Sequence, residues 1–221
     1  MPFHDPQEFI LRITAILFIL TVHEYCHAWA AYRLGDPTAR DLGRVSLNPL
    51  VHLDFLGTVM LLFGPFGWGK PVPVDVRRLR HPVRDDVIVS FAGAGSSLAL
   101  GILFALAMRG VVRVFAGAAT PSTQPFLLTA LSFLSLGALI GISLGLFNLL
   151  PFFPLDGSHV LKGLVPGRWQ PWYDQYLRVS QFVLLAILVA PWITDKVPSA
   201  LDYTLWPAVE KIYETCTGLT L

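Results

Sequence analysis

The sequence predicts an all-α polytopic membrane protein, with about four transmembrane helices and a re-entrant segment that carries a short β-hairpin. Its 221 residues are 54% hydrophobic and only 14% charged, and the mean hydropathy is +0.59. A soluble domain of this length needs about a quarter charged residues to cover its surface. The apolar residues also lie in long uncharged runs, and about 20 such residues cross a hydrocarbon core of about 30 Å.

The charge and the cysteine content exclude several other classes of protein. A net charge of +1 provides no basic surface for nucleic acid, so we expect a lipid bilayer rather than DNA or RNA as the environment. Cys26 and Cys216 form neither a disulfide framework nor a metal-binding pair. The first apolar run leads into His23 and Glu24 instead of a small-residue cleavage site, which favours a retained helix over a signal peptide.

Four apolar runs are candidate membrane spans. They are residues 9–32, 87–108, 126–150 and 179–194. The fourth run is the shortest, and Pro191 interrupts it, because proline removes a helical hydrogen bond. We expect residues 1–221 to form a single membrane-embedded domain, with a core at about 8–165 and a C-terminal helix and interfacial segment at 179–221.

Residues 47–76, between the first two runs, are apolar but rich in proline and glycine, so they cannot form one helix. Non-helical backbone at membrane depth persists only where it is buried in protein or lines a wet cavity. We therefore expect a re-entrant segment. Within it, residues 69–74 alternate proline with Val72 and Val74, which predicts a short hairpin that could pair with an unwound substrate. A plain structural hairpin is the alternative.

Basic residues predict the orientation in the membrane. With four spans, residues 33–84 and 151–178 lie on one side and hold eleven of the sixteen Lys and Arg residues. The positive-inside rule places this side in the cytoplasm and both termini outside the cell membrane.

Small residues recur every four positions in the second and third runs. They are Gly93, Ser97 and Gly101 in the second run and Gly137, Gly141 and Gly145 in the third. Such faces allow helices to approach closely, either around a site or as ordinary membrane packing.

Residues His23-Glu24-Tyr25-Cys26-His27 match the pattern H-E-x-x-H. On a helix, positions i and i+4 share a face, so two imidazoles can converge on one zinc ion, with Glu24 beside them to take a proton from water. Each ionisable group in a span costs about 2.5–3.5 kcal/mol on insertion scales. Three such groups within five residues favour a bound cation over simple packing.

A catalytic zinc ion takes three protein ligands and leaves one position open, so a further ligand is needed. The remaining donors are His52, Asp54, His81, Asp156, His159 and Cys26. We favour Asp156, because it follows the uncharged stretch 126–155 at a point where prolines end a helix, on the same side as His27. His159 is the alternative, since it can share a helical face with Asp156.

A second motif, N-x-x-P-x-x-x-L-D-G at 148–157, ends a later span than the H-E-x-x-H motif at 23–27. Together the two motifs resemble the site-2 protease family of intramembrane zinc metalloproteases. Residues 43–50 and 69–74 also resemble stretches of bacterial members, so the match covers roughly residues 20–165.

The resemblance implies one catalytic zinc ion bound by His23, His27 and Asp156, with Glu24 as the catalytic base. It also implies that Asn148 assists the reaction centre, where its amide could donate a hydrogen bond to the developing oxyanion. A packing hydrogen bond between helices is the alternative for Asn148.

This sequence departs from the family at residues 92–97, which read A-G-A-G-S-S where many relatives have A-G-P-x-x-N. A role of this stretch beyond packing is therefore not implied. Many relatives also carry a PDZ domain between the second and third spans, but residues 109–125 leave no room for one.

The resemblance implies an endopeptidase that cleaves membrane-protein substrates in or near their transmembrane segments, as in regulated intramembrane proteolysis. The alternative is a proteolytically inactive membrane protein that binds metal or serves as a scaffold. The uncharged second and third runs offer no ion path for a transporter, and all four site residues are present. A further alternative is a metal-dependent hydrolase that acts on lipids or on another small molecule, and only the resemblance to the proteases argues against it.

Overall fold

The computed structural model describes residues 5–63, 67–115, 117, 120–194 and 199–221. Its helices are α1 (Pro6–Leu34), α2 (Thr38–Asp41), α3 (Phe55–Phe63), α4 (Pro82–Phe115), α5 (Gln124–Asn148), α6 (Asp156–Leu164), α7 (Gln170–Ile193), α8 (Ala200–Thr204) and α9 (Trp206–Thr217). Short 3-10 turns lie at Pro49–His52, Val76–Arg78 and Gly167–Trp169. The predicted all-α membrane protein is confirmed in this outline.

Three of the described helices, α1, α4 and α5, are long and apolar enough to cross a membrane. They confirm the first three predicted spans. The fourth predicted span lies within α7 but is not one of these three helices. The first turns of α7 are polar and carry Asp174 and Arg178, which lowers its mean hydropathy.

The first helix extends beyond the predicted run at both ends because its ends are capped. Asp5 accepts a hydrogen bond from the backbone N–H of Gln7 at 2.8 Å, and Pro6 begins the helix. At the other end Gly35 adopts φ +117°, a left-handed conformation that favours glycine.

The small-residue faces of α4 and α5 pack directly against each other. A Cβ atom at Gly101 would lie 2.4 Å from the backbone nitrogen of Ile142, and one at Gly141 would lie 2.7 Å from the Cα of Gly101. This contact confirms the predicted close approach of the two helices. Only residues 116–123 separate α4 from α5, which leaves no room for a PDZ insertion.

Helix α1 packs against both α4 and α5 and runs in the same direction as α5. The Gln7 amide donates to the Thr129 hydroxyl at 2.8 Å, which joins the first turns of α1 and α5. The last turns of these two helices therefore lie at one end of the bundle, where α4 begins. This arrangement brings the H-E-x-x-H motif and the end of α5 together.

The prediction that residues 47–76 are broken is confirmed, but the predicted β-hairpin is wrong. In the described part of the chain there is no strand, and a single antiparallel bridge joins Leu53 to Gly69. The physical reason is that Pro71 and Pro73 have no N–H to donate to a ladder. Residues 64–66 lie outside the described residues.

The C-terminal part of the chain covers both ends of the bundle. Helix α6 packs on the first turns of α4, where a Cβ atom at Gly163 would lie 2.1 Å from Val87. Helix α9 packs at the other end of the bundle, on the second half of α4 and the first half of α5. Its Tyr213 hydroxyl lies 2.8 Å from the hydroxyl of Ser135 on α5.

Candidate metal centre

The two histidines of the H-E-x-x-H motif lie one turn apart on α1 and point to the same place. His23 is 5% exposed and His27 is 8% exposed. Their Nε2 atoms lie 3.1 Å apart. The helical spacing of four residues explains this pairing, since residues i and i+4 stand above one another on a helix face.

The carboxylate of Asp156 meets both histidines. It lies at the start of α6, where Oδ1 is 3.2 Å from Nε2 of His27 and Oδ2 is 3.5 Å from Nε2 of His23. A tetrahedral ion at about 2.0–2.1 Å from each ligand separates its ligands by about 3.3 Å. The separation of the two Nε2 atoms, 3.1 Å, and the distance from each Nε2 to its nearer carboxylate oxygen, 3.2 and 3.5 Å, are close to this value.

The donor set fits a divalent cation. Two imidazoles and one carboxylate are the ligand types that zinc accepts, and they leave one tetrahedral position open. The Oδ2 atom of Asp156 is buried and has no hydrogen-bond partner among the described residues. A buried carboxylate oxygen without a partner is costly, and a cation held by His23, His27 and Asp156 would offset that cost.

The remaining ring nitrogens of both histidines are held by α4. Nδ1 of His27 donates to the carbonyl of Val89 at 2.8 Å, so its Nε2 keeps a lone pair free for a metal. Nδ1 of His23 lies 3.0 Å from the hydroxyl of Ser97, which is fully buried. Such outer partners orient metal-binding imidazoles and fix the tautomer.

A glycine on α4 makes room for the second histidine. A Cβ atom at Gly93 would lie 2.1 Å from Nε2 of His27. Any larger side chain would therefore displace the imidazole or push α1 away from α4. Gly93 is on the small-residue face for which the sequence left two roles open, close approach around a site and ordinary packing.

Sequence reasoning missed these contributions of Val89, Gly93 and Ser97. One signal was present, because Ser97 stands where many relatives have the asparagine of their A-G-P-x-x-N pattern. A serine hydroxyl can take the same kind of contact with a neighbouring imidazole. The carbonyl of Val89 gives no sequence signal, since every residue carries one.

Glu24 lies beside the histidines and is 7% exposed. The backbone N–H of Val72 interacts with the carboxylate of Glu24 as a hydrogen-bond donor, and the positive charge of Arg44 attracts the same carboxylate. Arg44 is itself 5% exposed. Burial lowers the pKa of the Arg44 guanidinium from its ordinary value, and the charge of Glu24 opposes that shift.

Asp156 is delivered by a turn that α7 supports. The Tyr176 hydroxyl donates to the carbonyl of Pro151 at 2.7 Å, and the Tyr173 hydroxyl donates to that of Ser158, also at 2.7 Å. Tyr173 is 1% exposed. These two hydrogen bonds fasten the chain on both sides of Asp156.

Asn148 is the last residue of α5, and its side chain turns back on its own helix. Its Nδ2 donates to the carbonyl of Leu144 at 2.9 Å. This bond lies within α5, so it is not the predicted packing bond between helices.

The other predicted metal donors lie in different surroundings. Nδ1 of His159 is 3.1 Å from Oδ2 of Asp86 on α4. His52 is fully buried and its Nε2 donates to the carbonyl of Ser46 at 2.7 Å, while Asp54 accepts from the N–H of Gly57. Over the part of the chain that is described, the one candidate metal group is His23, His27 and Asp156, without Cys26 or His81.

A bundle of apolar helices with a buried H-E-x-x-H site defines a membrane protein with a candidate metal centre. The chain belongs to peptidase family M50, whose family model matches residues 11–191. This membership confirms the resemblance to the site-2 proteases, and it supports a metalloprotease.

Named relatives agree with the family. The chain is 34% identical over 199 residues to "Putative zinc metalloprotease YwhC" of Bacillus subtilis (strain 168), which covers 88% of this chain and 84% of the relative. It is 33% identical over 189 residues to "Putative zinc metalloprotease Rip2" of Mycolicibacterium smegmatis, over 83% of this chain and 68% of the relative. The Mycobacterium tuberculosis (strain H37Rv) protein of that name is 29% identical over 192 residues. No solved structure matches the chain.

Proposed function

We propose that this protein is an intramembrane zinc endopeptidase of the site-2 type, which cleaves membrane-protein substrates in or near their transmembrane segments. One observation supports the proposal most strongly: two imidazole nitrogens and a carboxylate, with nearest atoms 3.1–3.5 Å apart, lie beside a buried glutamate on a helix apolar enough to cross a membrane. His27 lies seven residues before the end of α1, about 10 Å along the helix axis. The peptide bond would therefore be cut below the membrane surface.

In this proposal His23, His27 and Asp156 hold a single zinc ion through two Nε2 atoms and a carboxylate oxygen. When bound, zinc supplies a Lewis acid that polarises the scissile carbonyl and makes its water more acidic. Glu24 acts as general base towards the attacking water and then passes the proton to the leaving amine. His23, Glu24 and His27 are at most 8% exposed, and electrostatic interactions are stronger in such buried surroundings than in water.

Asn148 is proposed to assist the reaction centre at the end of α5. Its amide would leave the carbonyl of Leu144 and donate to the oxyanion that develops on the substrate carbonyl. Breaking this side-chain bond leaves the carbonyl of Leu144 with its helical acceptor position, since in an α-helix that ends at Asn148 it faces the backbone N–H of residue 148.

The 69–74 segment is proposed to receive an unwound substrate. Pro71 and Pro73 hold this backbone out of helix and bias the residues before them towards extended conformations. Among the described residues, the carbonyl of Val72 and both backbone groups of Val74 have no hydrogen-bond partner. A substrate strand could pair with these groups, as peptides pair with an open sheet edge.

The proposed topology has four crossings, with α7 as the fourth. Near the start of α7, Asp174 binds Lys162 of α6 at 2.9 Å, at the metal end of the bundle. After α7, Tyr213 of α9 lies 3.5 Å from the sulfur of Met108, in the last third of α4 and so towards the opposite end. The chain would therefore pass from one end of the bundle to the other through α7. The 24 residues of α7 extend about 36 Å, enough for a core of about 30 Å. Its exposed apolar side chains, which include Val179, Phe182 and Leu185, would face lipid.

Four crossings put the basic residues of 33–84 and 151–178 on the metal end of the bundle. By the positive-inside rule this end faces the cytoplasm of the cell that carries the protein, and both termini face outward across the cell membrane.

Cleavage assays in proteoliposomes test the proposed function. The purified zinc-loaded protein is incubated with a panel of model substrates that each carry one transmembrane segment, and the products are mapped by mass spectrometry. We expect cuts within or a few residues from the span, and no cleavage of unfolded casein at the same concentration. Cleavage of casein alone, or of nothing in the panel, would contradict the proposal.

A further inference from the structure

Arg44 is a buried cation in the loop that follows α2. Arg44 is 5% exposed, and it belongs to none of the ion pairs found among the described residues. Burying a charge without compensation is costly. The burial of Arg44 therefore indicates a specific role for its guanidinium, and its hydrogen bonds indicate which role.

The guanidinium of Arg44 binds two consecutive carbonyls of the 69–74 segment. Its Nη2 donates to the carbonyl of Lys70 at 2.5 Å, and its Nη1 donates to that of Pro71 at 3.3 Å. Arginine presents several N–H donors in one rigid plane, so it can hold two acceptors at once in a fixed orientation. Pro71 lacks an N–H and cannot continue a β-ladder beyond Lys70, so the contact with Arg44 holds the backbone at this point.

Other contacts hold the two ends of this segment. The N–H of Lys70 donates to the carbonyl of His52 at 2.8 Å, and the N–H of Asp75 donates to the buried carboxylate of Asp36 at 2.7 Å. Arg44 holds the carbonyls of Lys70 and Pro71 in addition to these contacts. Loss of its side chain would therefore loosen the chain at residues 70–72, while the N–H groups of Lys70 and Asp75 keep their acceptors.

The middle of the segment faces the proposed catalytic base. The N–H of Val72 interacts with the carboxylate of Glu24 as a hydrogen-bond donor, and the positive charge of Arg44 attracts that same carboxylate. Fixing Lys70 and Pro71 thus also fixes the next residue against Glu24. The groups left for a substrate, at Val72 and Val74, are then held in one register relative to the site.

We propose that Arg44 is a positioning residue for proteolysis, whose guanidinium clamps the carbonyls of Lys70 and Pro71 and so sets the register in which the 69–74 segment presents a substrate to Glu24. This inference rests on the proposed function, because it assumes that the segment receives substrate. The Nε atom of Arg44 is buried and has no partner among the described residues. The side chain is thus held by its fork of Nη atoms.

The test compares Arg44→Met, Arg44→Lys and the matched control Arg40→Met in zinc-loaded full-length protein. Arg40 lies four residues earlier, in α2, but it is exposed and pairs with Asp41 at 2.7 Å. Two readouts are taken: hydrogen exchange of peptides covering residues 67–78, and the KM and kcat for one cleaved single-span substrate. Zinc content is measured for every variant.

We expect Arg44→Met to speed exchange in 67–78 by about tenfold or more, because it removes hydrogen bonds from a charged donor. We expect its KM to rise by about tenfold, its kcat to change by less than about threefold, and its zinc content to stay at the wild-type level. Arg44→Lys should recover part of both effects, since lysine keeps the charge but not the planar fork. Arg40→Met should match the wild type.

Unchanged exchange in Arg44→Met would overturn the proposal, whatever the cleavage rates are. So would an unchanged KM, or a loss of zinc in both Arg44 variants, since a side chain that only supports the fold would have that effect. If the wild type cleaves no substrate, the proposed function fails, whereas the exchange data still decide whether Arg44 clamps the segment. The two failures are therefore distinguishable.

Discussion

The backbone of Gly93 lies against the imidazole of His27, so closely that a Cβ atom at residue 93 would fall 2.1 Å from Nε2. The close approach of α1 and α4 is therefore part of the candidate metal centre as well as of helix packing. The same helix provides the Val89 carbonyl and the Ser97 hydroxyl that hold the two histidines. Two predictions concern how α4 holds this site, one concerns the ligand Asp156 on α6, and one concerns the support of the site by α7.

Replacing Gly93 with alanine should displace His27 and reduce zinc content below about a tenth of the wild-type value, because the added methyl group occupies the position of Nε2. Zinc is measured by elemental analysis of the purified protein. Gly95→Ala is the matched control, since a Cβ atom there meets only the movable ring of Phe91 at 3.2 Å. Equal zinc content in the two variants would contradict this role of Gly93.

Replacing Ser97 with alanine should weaken zinc binding by about 10–100-fold, the usual cost of losing an outer hydrogen bond to a metal-binding imidazole. Competition with a chelator of known affinity measures the change. The control is Ser96→Ala, because the Ser96 hydroxyl bonds to the carbonyl of Gly93 within α4. If both variants bind zinc as the wild type does, the contact between Ser97 and His23 has no part in metal binding.

Asp156→Asn should lose zinc affinity far more than His159→Ala does. An amide is a weak zinc ligand compared with a carboxylate, whereas His159 pairs with Asp86 in the structure. The same chelator competition applies. If Asp156→Asn bound zinc with wild-type affinity and His159→Ala did not, the third ligand would be His159 instead of Asp156.

Tyr173→Phe should lower the free energy of unfolding by about 1–3 kcal/mol, because it leaves the carbonyl of Ser158 without its buried partner. It should also weaken zinc binding, since the turn before Ser158 delivers Asp156. Thermal unfolding in detergent and chelator competition check the two effects. Tyr203→Phe is the control, because Tyr203 is 73% exposed. A loss of stability with unchanged zinc affinity would separate Tyr173 from the site.

Much of this fold could be predicted because the bilayer imposes a simple length rule on apolar runs. Three of the predicted spans are confirmed, and caps at Asp5 and Gly35 explain why α1 is longer than its apolar run. The predicted hairpin at 69–74 was wrong. Valine and proline alternate there with the period of a β-strand, but the prolines lack the N–H groups that donate hydrogen bonds to a neighbouring strand. A long-range contact with Arg44 holds that segment instead, and no local pattern reveals it.

The candidate ligands were accessible to sequence reasoning because chemistry limits them strongly. An H-E-x-x-H pattern within a span and one carboxylate after a long uncharged run leave few other donors, and the structure brings these three side chains together. The outer contacts were not accessible. Val89 acts through its backbone and Gly93 through its lack of a side chain, so neither differs in sequence from a residue that only packs.

The central claim is that Glu24 beside a zinc ion hydrolyses peptide bonds within the membrane. The most direct test is single-turnover cleavage of one single-span substrate by the wild type and by Glu24→Gln, with both proteins matched for zinc content. We predict that Glu24→Gln binds zinc normally and cleaves at least about a hundredfold more slowly, because it loses the general base. Equal cleavage rates in the two zinc-matched proteins would contradict the account.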